Sequence, residues 1–238
     1  MPDDFENMQE PPVISNDEYY DKISILEKTL EVLRKKTLSL TAKVVGETLY
    51  KEDLYYCAAA DRNTHLIDGF VDMLKTRNLT CAGVLLRIQI DTCMRTYAAF
   101  IAQDRDALIS GMIEGEALNK YLSEEGKNMT DGYLNKRIEQ LVPSFKGVYN
   151  KASGYVHMSG PAFFQTVAKF NLDGTVAHVS FQCGSELPER RNWVLLQAAD
   201  LFIKYVQLFH KMLEVLADSK ARIEDSFELE NVRGESDA

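Results

Sequence analysis

Apolar residues recur with steps of three and four in two long stretches of the chain. Near the start the stripe is Ile23, Leu26, Leu30, Leu33, Thr37, Leu40 and Val44. Near the end it is Leu195, Ala199, Phe202, Val206, Phe209, Leu213 and Leu216. Such a ladder keeps one face of a helix apolar and is the pattern of a packed seam. Ser15 and Glu18 have capping-box spacing, which predicts a helix start near Asn16, and Gly46 predicts its weakening or end. Pro188 suits the first turn of the last helix, expected over 188–222. Each seam fits either core packing within the chain or a dimer contact.

Between these ladders the pattern predicts further helices over 51–76, with Leu54, Cys57, Ala58, Leu66, Phe70 and Leu74 inward, and over 79–103, capped by Asn78. Gly111, Gly115 and Gly126 punctuate shorter pieces. Thr130 can cap a helix through Leu141, and Ser144 another reaching Met158. The period then changes. Phe163–Phe170 and Thr175–Cys183 are rich in Phe, Val and Thr around Asn171-Leu172-Asp173-Gly174, which predicts a β-hairpin at about 163–183. The expected fold is mainly α, an up-and-down helical bundle with one inserted β-hairpin. The expected division is a flexible acidic lead over 1–15, a single helical domain over 16–222 and a flexible acidic tail over 223–238.

Charge sharpens that division. The 238 residues carry a formal charge of −9, yet residues 1–18 hold six acids and no Lys or Arg, and 224–238 hold six acids and one Arg. The remainder is close to balanced, so the low pI neither excludes nor favours a nucleic-acid partner for the folded part. Cys57, Cys81, Cys93 and Cys183 form no Cys-x-x-Cys pair and are expected as buried, reduced thiols. The start lacks a signal-peptide pattern, and no run of about 18 apolar residues occurs. A cytoplasmic protein with no membrane partner is the expectation. Phosphate loops, dinucleotide fingerprints and metal-ligand spacings are not found, so no cofactor and no metal are expected.

Two polar ladders interrupt the apolar pattern. Arg87, Asp91 and Arg95 are spaced i, i+4, i+8 on one face of an otherwise apolar helix. Tyr149, Ser153 and His157 repeat that spacing, with Tyr155 and Ser159 beside them. If the ladders share one interior seam, His157 can transfer protons while Arg87 and Arg95 stabilise negative charge. Asp91 would orient the guanidinium groups, and Tyr149, Ser153, Tyr155 and Ser159 would line the ligand. The alternative is structural: a charge network satisfied within the bundle, with His157 at a helix C-terminus.

The segments LLRIQIDTCMRTYAAF (85–100) and YNKASGYVHMS (149–159) resemble a bacterial family of helical proteins of unknown function, with a Leu-Leu-Arg…Arg helix and a Ser-x-Tyr-Val-His-x-Ser segment. More remotely the chain is similar to the HEPN superfamily of helical bundles. That resemblance implies a phosphate-bearing ligand, RNA or nucleotide, and an activity of the metal-independent ribonuclease type found in toxin–antitoxin and antiviral systems. HEPN nucleases carry Arg followed within a few residues by His on one helix. Here the close pair is Arg62 and His65, tighter than that pattern, so no catalytic residue is carried over from them. The rival expectation is a non-catalytic helical interaction module that works through a protein partner, or as a homodimer through its heptad helices.

Overall fold

The computed structural model describes residues 12–157, 167–173, 176–181 and 188–236. Among these the chain is mainly helical. In order they form α1 (Asn16–Val45), α2 (Lys51–Lys75), α3 (Leu79–Ile101), α4 (Arg105–Ile113), α5 (Asp131–Leu141), α6 (Val148–Val156) and α7 (Asn192–Ser236). Side-chain caps set several starts. The Ser15 hydroxyl accepts from the Glu18 amide at 3.2 Å, Asn78 accepts from Cys81 at 3.1 Å, and Thr130 accepts from Tyr133 at 3.3 Å. Gly46 ends α1 at φ 60°, a left-handed backbone that glycine adopts without steric cost.

Four helices make the core. α1 packs on α2 and α7, and α3 packs on the same two, so the bundle is square in section. The α1 stripe is buried except for half-buried Leu26, and Leu195, Phe202, Phe209 and Leu213 of α7 are fully enclosed. Each large apolar side chain so covered contributes about 2 kcal/mol. Both heptad seams are therefore filled within one chain, which leaves neither as the contact surface of a homodimer.

The contact register gives the helix directions. Thr37 meets His210 while Asn16 meets Asn192, so α7 runs parallel to α1. Arg77 meets Asn192 and Cys93 meets the Tyr205 carbonyl, so α7 runs parallel to α3 as well. α2 alone opposes them, with Asn63 against Gln89 and Tyr55 against Arg95. The expectation of an up-and-down bundle is corrected on this point. α6 is the reason: it descends along α3, with Tyr155 against Gly83 and Tyr149 against Arg87, and returns the chain to the end where α7 begins.

Two buried polar features cross this core. Thr37 of α1, Asn63 of α2, Gln89 of α3 and His210 of α7 form a continuous chain, with links of 2.8 to 3.0 Å. Lys220 donates to Asp53 at 2.6 Å, both about 95% enclosed, and lies 4.0 Å over the Tyr50 ring.

Other expectations shift. In the first half of α2, Asp53, Tyr56 and Ala60 are buried while Leu54 and Ala58 are exposed. The Asp53–Lys220 pair turns that face inward. Cys93 is buried, but Cys57 is half-buried and Cys81 exposed; Cys183 lies outside the described residues. Ser144 falls in a short 3-10 turn (Pro143–Phe145), and α6 starts after Gly147 at φ 76°. The chain is packed as early as Ile14, and α7 continues to Ser236, past the expected end at 222. Residues 220–232 contain no Gly or Pro and include the helix formers Lys220, Ala221, Arg222, Glu224, Glu228, Leu229 and Glu230.

Within the 163–183 span, β1 (Val167–Asp173) and β2 (Val176–Phe181) pair antiparallel, with Asn171 opposite His178. The rest of that span lies outside the described residues.

Candidate functional site

α3 presents its polar row between α2 on one side and α5 with α6 on the other. The spacing that puts Arg87, Asp91 and Arg95 on one face also spreads them along the axis. Arg87 and Arg95 are separated by about 12 Å of helix. They consequently belong to two clusters.

The first cluster surrounds Arg87, whose side chain is 15% exposed. Its Nε donates to Ser153 Oγ at 3.1 Å, and its Nη2 donates to the Tyr149 hydroxyl at 2.7 Å and to Asp131 Oδ2 at 3.4 Å. Asp131 stands in the first turn of α5, where a carboxylate also complements the helix dipole. Ser153 donates in turn to the Tyr149 carbonyl at 2.8 Å, so α6 holds its own clamp in shape. The expected meeting of Arg87 with Tyr149 and Ser153 is present.

The second cluster surrounds Asp91, whose side chain is 14% exposed. It accepts from Arg95 Nε at 2.9 Å and from Arg62 Nη2 at 3.5 Å. Sequence spacing had Arg87 as its second partner; α2 supplies Arg62 instead. Tyr55, also on α2, donates to the Arg95 carbonyl at 3.0 Å, and burial pushes its phenol pKa up to about 12. Burial works against the charge on Arg95, but the Asp91 hydrogen bond and the fields of Asp91 and Asp131 hold its pKa above the usual guanidinium value. The Arg95 side chain is 35% exposed and is bonded through Nε; among the described residues its Nη groups have no hydrogen-bond partner.

His157 is exposed at the C-cap of α6, where its amide donates to the Ser153 carbonyl at 3.1 Å. α6 runs antiparallel to α3, so His157 lies beyond Arg87 on the side away from Arg95. The helices do not bring His157 and Arg95 together. Tyr155 packs on Gly83, facing away from the Arg95 end, and Ser159 lies outside the described residues.

Arg62, Tyr55 and Asp131 complete the site and were not foreseen as members. Asp131 carried a signal, an acid directly after a capping Thr. Arg62 and Tyr55 carried none, because which face of α2 meets α3 depends on the bundle. Among the described residues no group of three His, Cys, Asp or Glu is placed to hold a metal ion. Among them, too, no helix is long and apolar enough to cross a membrane. No protein family, curated protein or solved structure matches the chain.

Proposed function

We propose that the α3 row is an anion site of an HEPN-like helical protein, and that its ligand is phosphate-bearing, with single-stranded RNA the favoured class. The observation that carries this is the charge balance on one face. Arg62, Arg87 and Arg95 stand against Asp91 and Asp131, an excess of one positive charge, at residues 15 to 45% exposed on the Arg side. Asp91 fixes Arg95 through Nε and leaves its forked end directed elsewhere. A guanidinium fork held in that way matches two phosphate oxygens. Arg62 serves as the second phosphate contact. Arg87, engaged by three partners, braces α3 against α6 rather than holding the ligand.

The test is fluorescence anisotropy with a labelled single-stranded RNA. Arg95→Ala and Arg62→Ala should each weaken binding about tenfold and lower the salt slope by about one contact. Unchanged affinity in both variants would remove the anion reading and leave the rival, a non-catalytic module that acts through a protein partner. The exposed α1 residues Ile25 and Val32, 66% and 65% exposed, favour that rival.

A catalytic extension rests on His157, exposed one turn beyond the Ser153 that holds Arg87. In this version the strand runs on along α3 from the phosphate held by Arg62 and Arg95. The imidazole takes the proton of a ribose 2′-hydroxyl farther along it, whose oxygen attacks the phosphorus adjacent to that ribose. The 5′-oxygen leaves with a proton from water, which yields a cyclic 2′,3′-phosphate and a 5′-hydroxyl without metal. RNA degradation in chelator by wild type and His157→Ala checks it; equal activity would take His157 out of the chemistry. The paired strands β1 and β2 are taken as an insertion in the bundle. The setting implied by the HEPN resemblance is a bacterial toxin–antitoxin or antiviral system in the cytoplasm.

A further inference from the structure

α6 has two working faces. Tyr149 and Ser153 clamp Arg87 on one, while Val148, Ala152 and Tyr155 line a groove of about 810 Å³ on the other. The floor of the groove comes from α3 and α7, with Leu79, Leu86, Trp193 and Leu201, and α1 supplies the opposite wall through Ile25 and Leu26. Ile25 and Gln197 are exposed, so the groove opens to solvent.

Charge stands only at its edge. Three lysines, Lys22, Lys146 and Lys151, and one acid, Asp200, are placed there. Asp200 is paired with Lys204 at 2.6 Å, and Lys22 with Glu18 at 3.2 Å. Lys146 and Lys151 are exposed and have no ion pair among the described residues. The groove is thus apolar inside and carries two unbalanced positive charges at the α6 rim.

Shape and charge together narrow the occupant. A hollow of this volume, apolar within and polar only at its margin, has the make-up of a small-molecule site. The α7 floor from Trp193 to Leu201 is about 12 Å long, the scale of one alkyl chain. A second copy fits it poorly. A two-fold contact sets each patch against itself, and two hollows face to face would leave both floors bare.

We infer that this groove binds a fatty acid, with the alkyl chain along Leu86, Trp193 and Leu201 and the carboxylate at Lys146 and Lys151. The chain takes the apolar floor out of water, and the carboxylate supplies the negative charge that the α6 rim lacks. This site is separate from the arginine row, because α6 stands between them.

Trp193 is the only tryptophan in the chain, half-buried in the groove, and reports on it directly. The experiment titrates the full chain with dodecanoate below its micelle concentration and reads acrylamide quenching of Trp193, with circular dichroism as the control for folding. Dodecanoate should lower the quenching constant roughly twofold and saturate, because the indole gains a cover. Dodecyltrimethylammonium, with a similar chain and a positive head, should bind about tenfold more weakly. Lys146→Glu with Lys151→Glu should reverse that preference. Ile25→Glu, at an exposed wall position, should weaken dodecanoate about tenfold and leave the helix content unchanged. An absence of protection by dodecanoate would overturn the inference. So would protection that ignores the charge of the head group, or that survives the lysine reversal, since either means apolar adsorption only. Binding to vesicles of anionic phospholipid without binding of free dodecanoate would assign the groove to a membrane surface instead. Protection that rises with protein concentration alone, with a dimer in light scattering, would assign it to a second copy.

Discussion

Arg87 meets Tyr149 in two ways at once: its Nη2 donates to the phenol oxygen at 2.7 Å, and its guanidinium carbon stands 4.1 Å from the ring centre. The pair joins α3 to α6. Tyr149→Phe keeps the ring and removes the acceptor, and should lower stability by about 1 kcal/mol. Arg87→Met should lower it by about 2 kcal/mol, since it also removes the Ser153 contact. In urea unfolding the double variant should fall short of the sum by about 1 kcal/mol. Full additivity would mean that the two residues do not act together.

Gly83 is the second fixture of the same helix pair. A Cβ there would stand 2.4 Å from the Tyr155 ring, closer than atoms can approach. The ring is met near its base, so rotation alone does not clear it. Gly83→Ala should destabilise by about 2 kcal/mol despite the better helix propensity of alanine. Combined with Tyr155→Ala, the penalty of adding the methyl group should vanish, measured against Tyr155→Ala alone.

Stability should depend on pH through His210. The ring is 1% exposed, and its pKa is pushed down to about 4, chiefly by burial and then by the Lys36 charge, with Glu214 opposing. The unfolded chain takes up a proton near the ordinary value of 6.5, which the folded chain refuses until about 4. This contribution is fully present above about 6.5 and is lost as pH falls toward 4, to a total of roughly 3 kcal/mol. His210→Gln should flatten that part of the profile. Urea midpoints taken across that window compare the two proteins, and parallel profiles would rule out this role for His210.

Lys220 and Asp53 are almost fully enclosed, so removing one partner strands the other. Lys220→Met should lower stability by about 4 kcal/mol, and Asp53→Asn in the same chain should recover a large part of it. Thermal unfolding of the two variants gives the answer.

The long seams were legible in the sequence because a heptad stripe needs only local spacing. Helix starts were legible for the same reason: Ser15, Asn78 and Thr130 act within three residues of their own positions. The polar row on α3 was legible as a row, and so was the meeting of Arg87 with Tyr149 and Ser153. Its division was not. Whether Asp91 serves Arg87 or Arg62 depends on how α2 lies against α3, a relation between residues 29 apart. The direction of α6 decides that His157 sits at the far end from Arg95, and no periodicity encodes direction. The inward turn of Asp53 required Lys220, 167 residues later. An apolar reading of α2 had no means of seeing it.

Leucine stripes with a regular repeat look nearly the same after one helix slides past another by a turn, about 5.4 Å. The chain of Thr37, Asn63, Gln89 and His210 removes that degeneracy. It draws one polar side chain from each of the four central helices. Any single slip would orphan donors and acceptors in dry surroundings, a penalty that neighbouring leucines cannot refund. The interior thus works as a combination lock, in which one alignment of four cylinders closes all three of these links.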